Sequence, residues 1–248
     1  MKLSVVIPAL NEAESLPETI RSICSTLEKE SIIYEILVVN DHSSDNTPSV
    51  LENLGKQFSA LRTVDNTGAP GFGNAVAFGL ENFSGDCVAI MMADLSDDPS
   101  DLVKYYRKMA GGKYDCVFGS RFIKGGNVTG YPFHKLLLNR IANTIVRIAY
   151  GIRYNDLTNA FKLYSREAIE GTKPFLSPHY NLTLELPLKA IVRGFSFTVI
   201  PNSWTNRKHG ISKFRIREMG SRYFFIFLYC LIEKYFSRGD YRKDKAKQ

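Results

Sequence analysis

The chain has 248 residues, 44% of them hydrophobic and 23% charged, which is enough for one large α/β domain with a full core. Its four cysteines lie singly in apolar surroundings, without the spacing of a metal site, which favours buried reduced thiols and excludes a disulfide-rich secreted class. The amino-terminal residues are too few and too polar for a signal peptide. We therefore expect a cytoplasmic protein.

The net charge of +7 is concentrated at the carboxyl-terminal end. Residues 204–248 contain twelve Lys and Arg against four Asp and Glu, whereas the other residues contain 20 against 21. Such a patch suits an acidic membrane surface, a phosphate-rich ligand or nucleic acid. We exclude nucleic acid because the aromatic residues of this segment form one block instead of alternating singly with basic residues.

Strand and helix patterns alternate over the first 120 residues. In chain order they predict a strand at about 3–7, a helix at 15–29, a strand at 36–39, a helix at 47–58, a strand at 61–64, a helix at 74–83, a strand at 88–92, a helix at 98–109 and a strand at 114–119. Ser15 and Glu18 form a capping-box pattern. The alternation predicts an α/β fold with a mostly parallel, Rossmann-like sheet flanked by helices.

The pattern loosens after residue 120, with helices expected at about 133–150 and 182–192 and strands at 161–164 and 195–200. Residues 223–232 are apolar on all sides and lie between basic flanks. Ten residues are too few to span a bilayer, which needs about twenty. Two interpretations stay open: a buried core helix, or a helix that docks on a membrane surface or a membrane partner.

The apolar strand at 88–92 ends in three carboxylates, those of Asp94, Asp97 and Asp98. Ligands bind where the strands of parallel sheets end, and acids there can hold Mg²⁺ or Mn²⁺ against substrate phosphates. Asp94 is the best metal candidate, and Ser96 and Asp97 are near enough to contribute oxygen. Asp98 fits the cap of the helix that begins at Pro99, and Asp97 fits either role.

The order of the motifs resembles that of the family 2 inverting glycosyltransferases, in particular the dolichyl-phosphate or polyprenyl-phosphate mannosyl- and glucosyltransferases. The resemblance rests on the segments 5–12, 35–47, 66–75, 93–96, 119–122, 139–143, 156–162 and 207–213. It implies a GT-A fold over residues 1–213, with a nucleotide-sugar half to about 120 and an acceptor half beyond, followed by a basic and apolar helix and tail at 214–248.

The resemblance also implies roles for individual residues. It assigns a nucleotide diphosphate sugar to Pro8, Ala9, Asn11, Glu12, Asn40, Asp41, Asn66 and Ala93. It assigns Mg²⁺ or Mn²⁺ to Asp94 and Ser96, and the phosphate of a polyprenyl phosphate acceptor to Arg140. A departing diphosphate needs cations, for which Arg121, Arg207 and Lys213 are the candidates. Asp156 would act as a base only if the acceptor were a hydroxyl, because a lipid phosphate is already anionic.

Two departures from the family pattern leave alternatives open. Met92 and Ser96 stand where the metal motif usually has an aspartate and a glutamine, and Asn40 and His42 stand where the second strand usually has an aspartate and a glycine. Our main expectation is inverting sugar transfer to a polyprenyl phosphate by an enzyme on the cytoplasmic face of a membrane. The alternatives are transfer to a saccharide hydroxyl and a non-catalytic nucleotide-sugar-binding protein.

Overall fold

A computed structural model describes residues 1–206 and 216–243, with side chains of the last helix described from residue 220. The elements in chain order are β1 (Leu3–Ala9), α1 (Leu16–Lys29), β2 (Tyr34–Asn40), α2 (Thr47–Gln57), β3 (Leu61–Asp65), α3 (Phe72–Asn82), β4 (Cys87–Ile90), α4 (Pro99–Ala110), β5 (Cys116–Ser120), β6 (Asn127–Thr129), α5 (Phe133–Tyr150), β7 (Lys162–Ser165), α6 (Arg166–Thr172), α7 (Leu182–Val192), β8 (Phe197–Pro201), β9 (Ser203–Thr205) and α8 (Ile216–Phe236).

The described strands form a seven-stranded sheet in the order β3-β2-β1-β4-β7-β5-β8, and β6 and β9 form a separate parallel pair. All neighbours in the large sheet are parallel except β7, which runs antiparallel to both β4 and β5. The fold class expected from the alternating pattern is therefore confirmed. Every residue of β1 is buried, as expected of a central strand covered on both faces.

Helices cover both faces of the sheet. On one face, α1, α2 and α4 bury apolar residues such as Ile20, Leu54 and Leu102 against the strands. On the other face, α3, α5, α7 and α8 contribute a second core, which includes Leu80 and Leu186. All four cysteines are buried and unpaired, which confirms the prediction of reduced thiols. The strand ends therefore project from a rigid, doubly covered sheet.

One of the two predicted helix caps is wrong. Helix α1 begins after Ser15, but the Ser15 side chain makes no capping hydrogen bond because its backbone is already helical, with φ −91° and ψ −32°. Its hydroxyl donates instead to a Glu12 carboxylate oxygen at 3.0 Å. Asp98 is a cap as predicted, since its carboxylate accepts from the backbone nitrogen of Ser100 at 2.8 Å.

Helix α8 is buried on one side only, so the core interpretation of the apolar segment holds for that side and docking on a membrane stays a prediction. Ile226 and Cys230 on one side are fully buried against the core. An ion pair fastens this side to the end of α7, where the Arg193 guanidinium donates to both carboxylate oxygens of Glu233 at 2.7 and 2.9 Å. The opposite side of the helix leaves several large apolar residues exposed.

A matching row of apolar side chains is exposed on α5. We call the two rows together the apolar surface; its members are Phe133, Leu137, Leu138, Ile141, Ile145 and Ile148 on α5, and Phe224, Phe225, Leu228, Ile232, Tyr235 and Phe236 on α8. The Tyr150 hydroxyl joins the two helices by donating to the carbonyl of Phe227 at 2.6 Å. Within 1–206 and 216–243, every helix is too short or too polar to cross a membrane.

Candidate active site

A polar network lies at the carboxyl ends of β1, β2 and β3, where three of the predicted nucleotide-binding residues meet. The buried carboxylate of Asp41 accepts from the Asn66 side chain at 2.8 Å and from the backbone nitrogen of Gly71 at 2.9 Å. The Asn40 side chain donates to Asp65 at 2.8 Å. These bonds fix the glycine-rich turn before α3 against the end of β2.

The loop after β1 is held by side chains of the loop after β2. Asn11 has a positive φ of 52°, and its side-chain oxygen accepts from the backbone nitrogen of Ser44 at 2.7 Å. The backbone nitrogen of Glu12 donates to Thr47 at 3.0 Å. Pro8 and Ala9 form the last rungs of the β1–β2 ladder. These hydrogen bonds hold the two loops together at the carboxyl edge of the sheet, where parallel sheets bind ligands.

The turn after β4 directs two carboxylates into a cavity of about 490 Å³. The turn is tight, since Leu95 has a positive φ of 57° and the Asp94 carboxylate accepts from the backbone nitrogen of Ser96 at 3.1 Å. Asp94 and Asp97 are 8% and 3% exposed and both line the cavity, as does Ser96. Ala93 is buried behind them, where its carbonyl accepts from Thr19 at 2.8 Å.

Burial and the nearby charge of Asp94 raise the pKa of Asp97 to about 7. The described residues contain no cluster of three or more His, Cys, Asp and Glu side chains fit for a metal. Two carboxylates and a hydroxyl facing one cavity nevertheless fit Mg²⁺ or Mn²⁺, because such ions are usually held by one or two carboxylates together with substrate phosphates. The donor set is therefore compatible with the predicted cation.

Arg121 and Asp156 form a buried ion pair at the wall of this cavity, with side chains that are 6% and 0% exposed. Asp156 accepts from Nε and Nη2 of Arg121 at 2.8 and 2.7 Å and from its backbone nitrogen at 3.0 Å. Burial acts to lower the pKa of the Arg121 guanidinium, but Asp156 outweighs that effect and holds it above the usual value. Both carboxylate oxygens of Asp156 are thus bound to Arg121.

Arg140 lies near Arg121, because the guanidinium groups of both residues lie over the ring of Phe122, 4.2 and 5.3 Å from its centroid. The Arg140 guanidinium donates to the carbonyl of Asn155 at 2.8 Å, and it lines neither this cavity nor the one described below. The role of Arg140 in binding an acceptor phosphate stays a prediction. Lys135, one and a half turns earlier on α5, lines the cavity instead. Arg207 and Lys213 lie outside the described residues.

Aromatic residues that the motifs did not single out form much of the remaining wall. Tyr131 and Trp204 pack at a ring-centroid distance of 4.9 Å, and Tyr180 stacks on Phe72 at 4.4 Å. Tyr223 of α8 donates to the carbonyl of Tyr180 at 2.8 Å. Only the uniqueness of Trp204, the one tryptophan of the chain, could have drawn attention to it in the sequence.

A second cavity, of about 400 Å³, lies between α5 and α8 and is walled mainly by apolar side chains such as Ile145 and Phe224. It adjoins the carboxylate-lined cavity, because the two share Tyr131, Lys135, Asn139, Thr158 and Tyr223. Its outer rim is part of the apolar surface. A polar cavity with two acids and a buried guanidinium thus continues into an apolar groove between two helices.

Comparison with known proteins shows which family the chain belongs to. Residues 4–172 match the family model of glycosyl transferase family 2. The chain is 32% identical over 219 residues to the dolichol-phosphate mannosyltransferase of Pyrococcus furiosus, covering 87% of this chain and 60% of that protein. It is 30% identical over 234 residues to the polyprenol monophosphomannose synthase of Mycolicibacterium smegmatis, covering 88% and 86%. The chain therefore spans less than two thirds of the first relative and most of the second.

Solved structures share the GT-A fold that was expected. Glucosyl-3-phosphoglycerate synthase from Mycobacterium tuberculosis, in complex with Mn²⁺, uridine diphosphate and phosphoglyceric acid, superimposes with a TM-score of 0.72 at 20% identity, covering 93% of this chain and 78% of the other. The match to the family model covers more than half of the chain. The chain belongs to glycosyl transferase family 2.

Proposed function

We propose that the protein transfers a sugar from a nucleoside diphosphate sugar to a polyprenyl phosphate, with inversion at the anomeric carbon. The observation that carries this proposal is the junction of the carboxylate-lined cavity with the apolar groove between α5 and α8. Relatives named as a dolichol-phosphate mannosyltransferase and a polyprenol monophosphomannose synthase support the same class of acceptor.

The donor nucleotide lies at the carboxyl ends of β1 and β2 in this proposal. Pro8, Ala9, Asn11 and Glu12 border it from the first loop, and Asn40, Asp41, Asn66 and Ala93 border it from the neighbouring strand ends. The hydrogen bonds of Asp41 to Asn66 and Gly71 hold the glycine-rich turn in one position. This part of the site is therefore organised before the donor arrives, which reduces the entropy lost on binding.

A bound Mg²⁺ or Mn²⁺ would neutralise charge on the departing diphosphate. Asp94, Ser96 and the diphosphate would hold that ion. Arg121 is the second cation of the site, and its side chain stays in place because Asp156 binds two of its nitrogens. Arg207 and Lys213 are proposed as further cations for the same diphosphate. This arrangement stabilises charge that develops as the glycosidic bond breaks.

Asp156 has no role as a base in this mechanism. Both of its oxygens accept hydrogen bonds from Arg121, and its carboxylate is fully buried. A phosphate acceptor does not need Asp156 as a base because its oxygen is already anionic near neutral pH. Lys135 lines both cavities and is therefore the candidate that binds the acceptor phosphate where the apolar groove meets the donor.

We also propose that the apolar surface contacts a membrane. Exposed apolar patches beyond a few hundred Å² mark interaction sites, and two neighbouring helices with apolar outer faces are suited to the boundary of a lipid layer. The surface borders the groove, so a lipid could pass from the membrane to Lys135 without crossing water. We place the protein peripherally on the cytoplasmic face, in keeping with its four free, buried cysteines.

The test is a panel assay with purified protein, Mg²⁺ or Mn²⁺ and a series of nucleoside diphosphate sugars. Each donor is offered either a short polyprenyl phosphate or a saccharide acceptor. We expect one donor to give a polyprenyl phosphate sugar whose anomeric configuration, read by NMR, is inverted. Transfer to the saccharide alone, retention of configuration, or no transfer and no donor hydrolysis across the panel would each contradict the proposal.

A further inference from the structure

Asp97 and Asp98 are adjacent at the start of α4, but their carboxylates have different surroundings. Asp98 accepts from the backbone nitrogen of Ser100 at 2.8 Å and is exposed, as a helix cap should be. Asp97 is 97% buried and lines the cavity that Asp94 also lines. Capping of α4 therefore explains Asp98, whereas Asp97 takes no part in the cap.

The bonding of Asp97 is sparse for a buried carboxylate. One oxygen accepts from the backbone nitrogen of Met92 at a long 3.4 Å. Among the described residues, the other oxygen accepts no hydrogen bond, and no cation forms a direct ion pair with this carboxylate, since the nearby Arg121 is paired with Asp156. Burying a carboxylate without full pairing is unfavourable, so a native protein rarely keeps one without a function.

The contact with Met92 also locates the Asp97 carboxylate. It lies beside the backbone of Met92, two residues before Asp94, and all three residues line the cavity; the thioether of Met92 is a poor ligand for a hard cation. Asp94 and Asp97 are both buried and line the same cavity, so their like charges face one space. A divalent cation between them would convert that repulsion into attraction.

We propose that Asp97 is a direct ligand of the divalent cation and supplies, from five residues further along the chain, the carboxylate that residue 92 lacks. Asp94 and Asp97 then hold the ion in the protein, with Ser96 contributing its hydroxyl and the donor diphosphate completing the coordination. This inference rests on the proposed use of a divalent cation by the site. It explains why a chain with methionine at position 92 keeps a buried, poorly bonded acid at position 97.

The experiment measures Mn²⁺ binding directly. Free Mn²⁺ is counted by EPR, and quenching of Trp204 fluorescence reports ion bound in the cavity, because this tryptophan lines it and is the only one in the chain. Titrations are run with Mn²⁺ alone and with Mn²⁺ plus UDP or GDP. The test variant is Asp97→Asn, which keeps an acceptor for the Met92 nitrogen, and the matched control is Asp98→Asn.

We expect Asp97→Asn to raise the Mn²⁺ dissociation constant by roughly tenfold or more, the size of loss that even a supporting partner of a metal ligand produces. Asp98→Asn should bind Mn²⁺ like the wild type. Met92→Asp in the Asp97→Asn background should restore binding, because it places a second carboxylate in the same cavity. Circular dichroism and thermal unfolding confirm that each variant is folded, and Asp97→Ser replaces Asp97→Asn if that variant is not.

Three outcomes would overturn the inference. They are unchanged Mn²⁺ affinity in the folded Asp97 variant, equal losses in the Asp97 and Asp98 variants, and no Mn²⁺ binding by the wild type with or without nucleotide. The proposed function fails separately, when the wild type binds Mn²⁺ through Asp97 but transfers no sugar to polyprenyl phosphate.

Discussion

The buried pair of Arg121 and Asp156 gives the sharpest test of how the site is built. The substitution Asp156→Asn keeps the volume and one acceptor oxygen but removes the charge and directs an amide N–H at the guanidinium. The variant therefore leaves a nearly inaccessible cation unpaired, where the wild type has three hydrogen bonds of 2.7 to 3.0 Å. Removing one partner of such a pair costs about 3 to 5 kcal/mol.

For a chain of this length that loss corresponds to a fall in Tm of about 6 to 20 °C. Thermal and urea unfolding measure it, with Glu52→Gln as control because the Glu52–Lys56 pair is exposed on α2. The double change Arg121→Met with Asp156→Asn removes the unpaired cation and should recover most of the stability. It should not recover sugar transfer, since Arg121 itself is lost. A free energy of unfolding for Asp156→Asn within about 1 kcal/mol of the wild type would refute the reasoning.

Three further predictions concern other parts of the molecule. Glu233→Gln leaves Arg193 buried without its counter-charge and should cost about 3 kcal/mol in urea unfolding; an unchanged midpoint would contradict the role of this pair in fastening α8. Burial acts to raise the pKa of Glu35, but hydrogen bonds from Ser4 and Ser84 outweigh burial, and the pKa is lowered. The ionised Glu35 side chain therefore stabilises the fold above pH ~4.3, and this stabilisation is lost as the pH falls further. Glu35→Gln should accordingly be less stable than the wild type at pH 7 and approach it in acid, and a difference that stays constant down to pH ~3 would show the sign to be wrong. Phe225→Ser, at a side chain 58% exposed on the apolar surface, should weaken flotation with anionic vesicles by about tenfold at unchanged Tm, whereas Ile33→Ser, at the amino-terminal edge of the sheet, should float like the wild type.

Much of the fold was predictable because a buried parallel strand has a simple signature. The first two strands and the strand before Asp94 are continuous apolar runs, and helical periodicity separates them. The strand β7 was predicted at 161–164, but its antiparallel direction and its place between β4 and β5 were not, since sequence periodicity carries no information about strand direction or sheet order. The prediction that Ser15 caps α1 was wrong because a capping pattern also occurs where the serine backbone is already helical.

The site was predictable where one segment carries the chemistry and unpredictable where distant segments meet. Asp94 follows directly from the end of its strand. The pairing of Arg121 with Asp156 joins residues 35 positions apart, so the sequence could offer Asp156 only as a candidate base. Asp97 and Asp98 are neighbours of the same type, and only their burial and bonding distinguish a cavity acid from a helix cap. The groove between α5 and α8 depends on packing of helices far apart in the chain.

The central claim is that the apolar groove holds the lipid acceptor while the adjoining polar cavity holds the donor. Ala142 lines the groove but not the polar cavity, and it is exposed. The substitution Ala142→Trp should therefore fill the groove without entering the core. Its control is Thr144→Trp, at an exposed residue of α5 that lines neither cavity and is not part of the apolar surface.

The decisive measurement is the rate of sugar transfer to a short polyprenyl phosphate by the wild type and these two variants, with nucleotide binding followed by thermal shift. We predict that Ala142→Trp lowers kcat/KM for the lipid by about tenfold or more, the loss of roughly 1.4 kcal/mol of binding, and keeps the nucleotide-induced rise in Tm. Thr144→Trp should transfer sugar like the wild type. Undiminished transfer by a folded Ala142→Trp variant would contradict the claim.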